Sequence, residues 1–217
     1  DSFFIFENHY MVDIIKYNQY DTIYHEHIRN YSLKSLIYLF NLYNLKVIDC
    51  EVLDRYNGSI KVVVSNNKKI KPNSSVDKTL RNEKKFGLTN KKLWDKFRIN
   101  TKKSKEELIS LLYKLKRNNK TVVGNSCPCR SSVLLNYCGI GKDLIPYIAE
   151  QPTSAKLGLY LPGKHIPIVN NKILVKDQPD YILLLAWHYA KPIMKYLKKM
   201  GVKSKFIIPL PKVKIVK

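Results

Sequence analysis

The sequence predicts an α/β protein in two parts, and three observations carry that reading. Over residues 1–66, strand-like, helix-like and strand-like runs follow one another and close in a hairpin signal. From residue 120 short strands alternate with helical stretches, the order of a small doubly wound sheet. Within that second part Tyr181 to Ala186 is almost wholly apolar, as a parallel strand covered on both faces requires. Hydrophobic residues make up 45% of the 217, enough to build a core and to exclude global disorder.

In order, residues 3–7 read as a buried strand ending at Glu7, and residues 10–17 as a short helix with Tyr10, Met11, Ile14 and Ile15 on one side. Ser32 is placed as the N-cap of a helix whose stripe is Leu33, Leu36, Ile37, Phe40 and Leu42. Val47–Val52 and Ile60–Val64 read as strands joined through Asn57-Gly58-Ser59, a turn signal. Residues 66–78 are polar and read as a linker. Ser104-Lys105-Glu106-Glu107 is expected to open a helix with Leu108, Leu111, Leu112 and Leu115 along one face. Thr121–Gly124, Tyr147–Glu150, Tyr181–Ala186 and Phe206–Ile208 are the expected strands of the second part, with helices at Arg130–Tyr137 and Ala190–Met200. The domains follow: 1–66, a basic connecting region 67–119, and an α/β domain 120–217.

The formal charge of +22 raises the question of nucleic acid. Its distribution and type argue against a specific site. Residues 1–65 carry 6 basic and 8 acidic groups, residues 66–120 carry 18 and 5, and residues 121–217 carry 15 and 4. Only 6 of the cations are arginine against 33 lysines, whereas base and phosphate readers favour the guanidinium fork. The lysines of 66–120 read as solvated helix faces. No run of apolar residues is long enough for a membrane span, and a cytoplasmic location is expected. The four cysteines, Cys50, Cys127, Cys129 and Cys138, are expected as reduced, buried thiols, since one Cys-x-Cys pair is half of a zinc site at most. The chain begins at Asp1 and runs directly into a strand, and reads as a piece of a longer protein.

Two stretches carry chemistry. Asp21-Thr22-Ile23-Tyr24-His25-Glu26-His27 gathers groups able to move a proton near neutral pH. Proton transfer is the favoured reading; a structural hydrogen-bonded pair and a metal site stay open, the latter because His25 and His27 would share a side on extended backbone. Gly124-Asn125-Ser126-Cys127-Pro128-Cys129-Arg130-Ser131 joins a strand to a helix, where backbone amides and the Arg130 cation suit a phosphate. An ordinary strand-to-helix turn is the equal alternative.

The order of short motifs is more specific than either stretch. Tyr24-His25-Glu26-His27, Tyr31-Ser32-Leu33-Lys34-Ser35-Leu36 and Asn57-Gly58-Ser59 are followed by Cys127-Pro128-Cys129-Arg130, Leu135-Asn136-Tyr137, Pro162-Gly163 with Ile166-Pro167-Ile168, Gln178-Pro179-Asp180-Tyr181 and Ala186-Trp187-His188. This series resembles the S-adenosylmethionine-dependent sugar C-methyltransferases over nearly the whole chain, apart from 66–105. The resemblance implies the tail of a Rossmann-like methyltransferase domain over 1–66 and the C-methyltransferase C-terminal domain over 120–217. It implies a nucleotide-sugar substrate, with S-adenosylmethionine bound mainly by a part outside this chain and zinc in an N-terminal module also outside it. It further implies His27 as the base that deprotonates the carbon beside a ketone, with Glu26 and Tyr24 beside it. Arg130, Asn136, Tyr137, Pro162, Gly163 and His188 are the substrate-binding residues it suggests. The glycine-rich cofactor loop of the family is not in the sequence, so the chain alone is expected to be inactive. Where relatives have glycine-alanine before the proline, this chain has Ser126-Cys127. A non-catalytic nucleotide- or nucleic-acid-binding module derived from the family is the alternative.

Overall fold

Ser32 caps its helix as its chemistry requires. In the computed structural model, which describes residues 2–217, its hydroxyl accepts from the Ser35 amide at 3.1 Å and the Ser35 hydroxyl accepts from the Ser32 amide at 2.9 Å. The buried Glu83 carboxylate accepts from the amides of Leu33 and Lys34 as well. The chain divides into two compact units, one formed by residues up to Gln19 with His27–Ile99, the other by Tyr20–Glu26 with Asn100–Lys217.

The first unit contains β1 (Phe3–His9), α1 (Met11–Lys16), α2 (Leu33–Asn41), β2 (Lys46–Leu53), β3 (Ser59–Ser65) and α3 (Ser74–Phe86). Its sheet has the order β1-β3-β2, antiparallel throughout. Leu33, Leu36 and Phe40 of α2 pack on Val47 and Cys50 of β2 and on Ile60, Val62 and Val64 of β3. The expected burial of the first strand does not hold. Phe3, Phe4 and Ile5 are 52–65% exposed, because β1 is an edge strand whose only strand partner among the described residues is β3. The hairpin signal holds. Tyr56 and Asn57 take φ of 54° and 63°, and the Gly58 amide donates to the Arg55 carbonyl at 2.9 Å, the geometry of a tight turn matched to strand twist. At Gly58 a Cβ would lie 2.2 Å from that of Asp13, so only glycine admits α1 this close.

The polar region is more helical than its composition suggests. α3 starts at Ser74, inside the expected linker, and α4 (Lys91–Arg117) runs for 27 residues with Ser104 buried in its middle rather than at its start. Residues 91–117 contain neither glycine nor proline and are rich in lysine and leucine, so nothing breaks the helix. Of the expected stripe, Leu108, Leu112 and Leu115 are buried and Leu111 is half-buried.

The second unit holds β4 (Val122–Asn125), α5 (Arg130–Cys138), β5 (Ile148–Glu150), β6 (Ile168–Asn170), α6 (Ile173–Asp177), β7 (Tyr181–Leu184), α7 (Ala190–Lys199), β8 (Lys205–Ile208) and β9 (Lys214–Val216). The sheet order is β6-β5-β4-β7-β8-β9, parallel except for β9. From β4 the chain steps outward to β5 and β6, then returns to add β7 and β8 on the other side. This is the doubly wound topology, with its switch point between β4 and β7. Ile182, Leu183 and Leu184 are completely buried, which explains the unbroken apolar run. β6, α6 and β9 were not expected; at three to five residues they are too short to show a period.

Asp180 fastens the starts of β4 and β7. Its carboxylate accepts from the Thr121 amide at 2.9 Å, the Thr121 hydroxyl at 3.1 Å and the Lys120 ammonium at 3.0 Å. The Thr121 amide first, then Lys120, hold this carboxyl below the usual aspartate range. A lowered folded-state pKa stabilises the fold above the unfolded-state value and loses that contribution as pH falls through the folded-state value. Asp180→Asn is therefore expected to lower stability by about 1 kcal/mol or less at pH 7, given the exposure of the site. The difference from wild type should shrink as pH falls through the folded-state value, in urea titrations run across pH.

Candidate functional site

In a doubly wound sheet the crevice at the switch point is where ligands lie. Here the turn after β4 leads to Arg130 and the turn after β7 leads to Trp187 and His188. The position is occupied by the chain itself. A 3₁₀ turn, Tyr20–Thr22, is completely or almost completely buried in this unit, and the Asp21 carboxylate meets the Arg130 fork at 2.6 and 2.8 Å. The Trp187 indole N–H donates to Asp21 at 2.8 Å, and the guanidinium lies 4.9 Å from the Trp187 ring centroid. His188 Nδ1 is 3.4 Å from Arg130 Nη1. Arg130 and Asp21 are 6% and 0% exposed, so the guanidinium that suited a phosphate by sequence is bound to a carboxylate here.

Two residues after this anchor the chain is at the surface: Ile23 is 55% exposed, and His25 and Glu26 are also exposed. Burial, then the Glu26 carboxylate, push the Tyr24 phenol up, which keeps it a proton donor across neutral pH. Cys129 contradicts the expectation of a buried thiol. It is exposed, and its Sγ lies 3.6 Å from Glu26 Oε1. The other three cysteines are buried as expected, and burial pushes the Cys127 thiol up to about 11, which leaves it inert.

The turn after β4 is not an open anion cradle either. Glu150 accepts from the Cys127 amide at 2.7 Å, and the Lys156 ammonium donates to the Cys127 carbonyl at 2.5 Å. Of the other expected binding residues, the structure brings three together. The Asn136 amide donates to the carbonyls of Ser132 and Pro162 at 2.8 and 2.9 Å. At Gly163, with φ of 82°, a Cβ would lie 2.3 Å from Asn136 Oδ1, so α5 and the Pro162–Gly163 loop are fitted to each other. Tyr137 packs its ring on Tyr20 at 5.2 Å and under the Lys105 ammonium at 4.9 Å.

His27 belongs to the first unit. It lines a pocket of about 310 Å³ with Glu7, Asn8, His9, Arg55, Tyr56 and Ser59. The His9 and His27 ring centroids are 4.5 Å apart at an interplanar angle of 54°, and the Tyr56 ring is 6.1 Å from His9. Glu7 accepts from the Ser59 hydroxyl at 2.9 Å and pairs with Arg55 at 3.3 Å. Sequence reasoning reached His27 and the turn but not His9, Glu7, Arg55 or Tyr56. The available signal was the polar triplet Glu7-Asn8-His9 closing an apolar strand, which antiparallel pairing sets opposite Ser59–Lys61. Among the described residues no three His, Cys, Asp or Glu side chains come together as a metal site. No described helix is long and apolar enough to cross a membrane.

The chain thus pairs an antiparallel three-stranded unit with a doubly wound α/β unit. Residues 55–211 match the family model described as the C-methyltransferase C-terminal domain, and the chain belongs to that family. It is similar over its whole length to the C-methyltransferase NovU of Streptomyces niveus, at 33% identity across 223 aligned residues. It spans 52% of that relative's length.

Proposed function

We propose that this chain is the substrate-facing part of an S-adenosylmethionine-dependent C-methyltransferase acting on a nucleotide-linked keto sugar. The observation that supports it best is the placement of His27 in a polar, sugar-sized pocket. A carbon beside a ketone becomes nucleophilic only after losing a proton, which calls for a base held against it. His27 takes that proton. Ser59, Tyr56 and the Arg55–Glu7 pair supply the hydroxyl-recognising and ring-stacking groups a sugar requires.

S-adenosylmethionine, when bound, would supply an electrophilic methyl group. The described residues do not fit an adenosyl cofactor at the switch-point crevice, since Asp21 fills it and the turn beside it has a single glycine. Binding tests the proposal. Calorimetry of this chain against keto-sugar nucleotides, the corresponding alcohols and free nucleoside diphosphates should show binding, with the sugar adding to the affinity of the diphosphate. If the folded chain binds none of them, or binds the diphosphate as well as the sugar nucleotide, this assignment of the substrate falls.

A further inference from the structure

The geometry points to His9 as the group that holds the oxygen of the substrate while His27 takes the proton from the neighbouring carbon. This rests on the function proposed above and adds a residue and a role to it.

His9 is the last residue of β1 and is paired in register with Ser59, the first residue of β3. That register sets the His9 ring on the same pocket as His27. The two rings are tilted rather than stacked, 4.5 Å between centroids. The carbon that loses the proton and the oxygen that gains charge are separated by a C–C and a C=O bond, about 2.4 Å across. Two imidazoles at this spacing and tilt can address those two atoms at once. The other strong donor of the pocket, Arg55, is paired with Glu7, and Ser59 also donates to that carboxylate.

The step balances within the chain and the substrate. A ring nitrogen of His27 takes the proton; the C–H electron pair becomes the second bond of C=C, and the C=O pair moves onto oxygen. His9 donates a hydrogen bond to that oxygen and keeps its own proton. Return of a solvent proton through His27 restores the ketone, so the half-reaction is visible as hydrogen exchange with no methyl transfer. A preplaced donor aimed at the developing oxyanion typically contributes 10²–10³ in rate.

The test is exchange of the proton beside the ketone in deuterated water, followed in the complete enzyme with a keto-sugar nucleotide. His9→Phe keeps a ring in the pocket without an N–H donor, and His9→Gln keeps a donor. The inference expects exchange to fall about 10²-fold or more in His9→Phe, with affinity for the keto-sugar nucleotide changed less than about threefold, and partial recovery in His9→Gln. Exchange at the wild-type rate in His9→Phe, while His27→Asn has lost it, overturns the role of His9 and leaves the proposed function standing. Equal losses of exchange and binding in both His9 variants mark a packing role and also overturn it. If neither His9→Phe nor His27→Asn slows exchange, the proposed function fails and this inference with it.

Discussion

Under the proposed function, replacing His27 by asparagine in the complete enzyme is expected to lower turnover by about 10²–10⁴, with little change in affinity for the sugar nucleotide. The size follows from what is removed. Asparagine keeps a polar side chain of similar reach in the pocket shared with His9, Tyr56 and Ser59, so contacts with bound sugar largely survive. It has no basic nitrogen, so the proton beside the ketone has no acceptor. The loss should fall on kcat and kcat/KM together, as for an interaction made only in the transition state. Rates of methyl transfer and of hydrogen exchange, measured side by side, check it. Undiminished exchange in the variant would remove His27 from the role of base.

Arg130→Ala is expected to destabilise the chain by about 3–5 kcal/mol, the typical effect of leaving a buried charge without its partner. Asp21 would keep the Trp187 hydrogen bond and lose both contacts with the guanidinium. Replacing both members of the pair with apolar side chains should recover much of this loss, because the pair also gives up the desolvation of two ions. Urea unfolding of the single variants Arg130→Ala and Asp21→Asn and of the double variant Asp21→Leu/Arg130→Met measures it. If Arg130→Ala is as stable as wild type but binds sugar nucleotides 10- to 150-fold more weakly, the range for a lost charge-assisted contact, the guanidinium serves a phosphate instead.

This ion pair also bears on design. A buried pair of this kind is a poor source of stability compared with well-packed apolar groups. Its position gives it another value. It fixes Tyr20–Thr22 within the second unit just before the chain emerges with Tyr24 and Glu26, and the next residue, His27, belongs to the other unit.

How much of this was legible in the sequence follows from the range of each interaction. The α2 cap, the Asn57-Gly58 turn, the apolar β7 and the doubly wound order of the second part are local or periodic features, decided by neighbouring residues, and they were readable directly. So was the Tyr24–His27 run with the motifs that follow it. The unbroken α4 was misread at its start because a good capping pattern at Ser104 sits inside a stretch with nothing to end the helix. Pairing decided the rest. β1 is apolar yet exposed because it lies at an edge of its sheet, and a hydrophobic run does not say how many of its faces will be covered. Arg130 was read as a phosphate ligand because it opens a helix after a strand, but a carboxylate 109 residues away takes its fork. His9 reaches His27 only through the register of β1 on β3, where it pairs with Ser59, 50 positions further along the sequence. The sequence by itself determined the fold class, the family motifs and the candidate base. Tertiary structure alone decided which charges are already neutralised and which imidazoles share a pocket, because those depend on contacts between residues that no local pattern brings together.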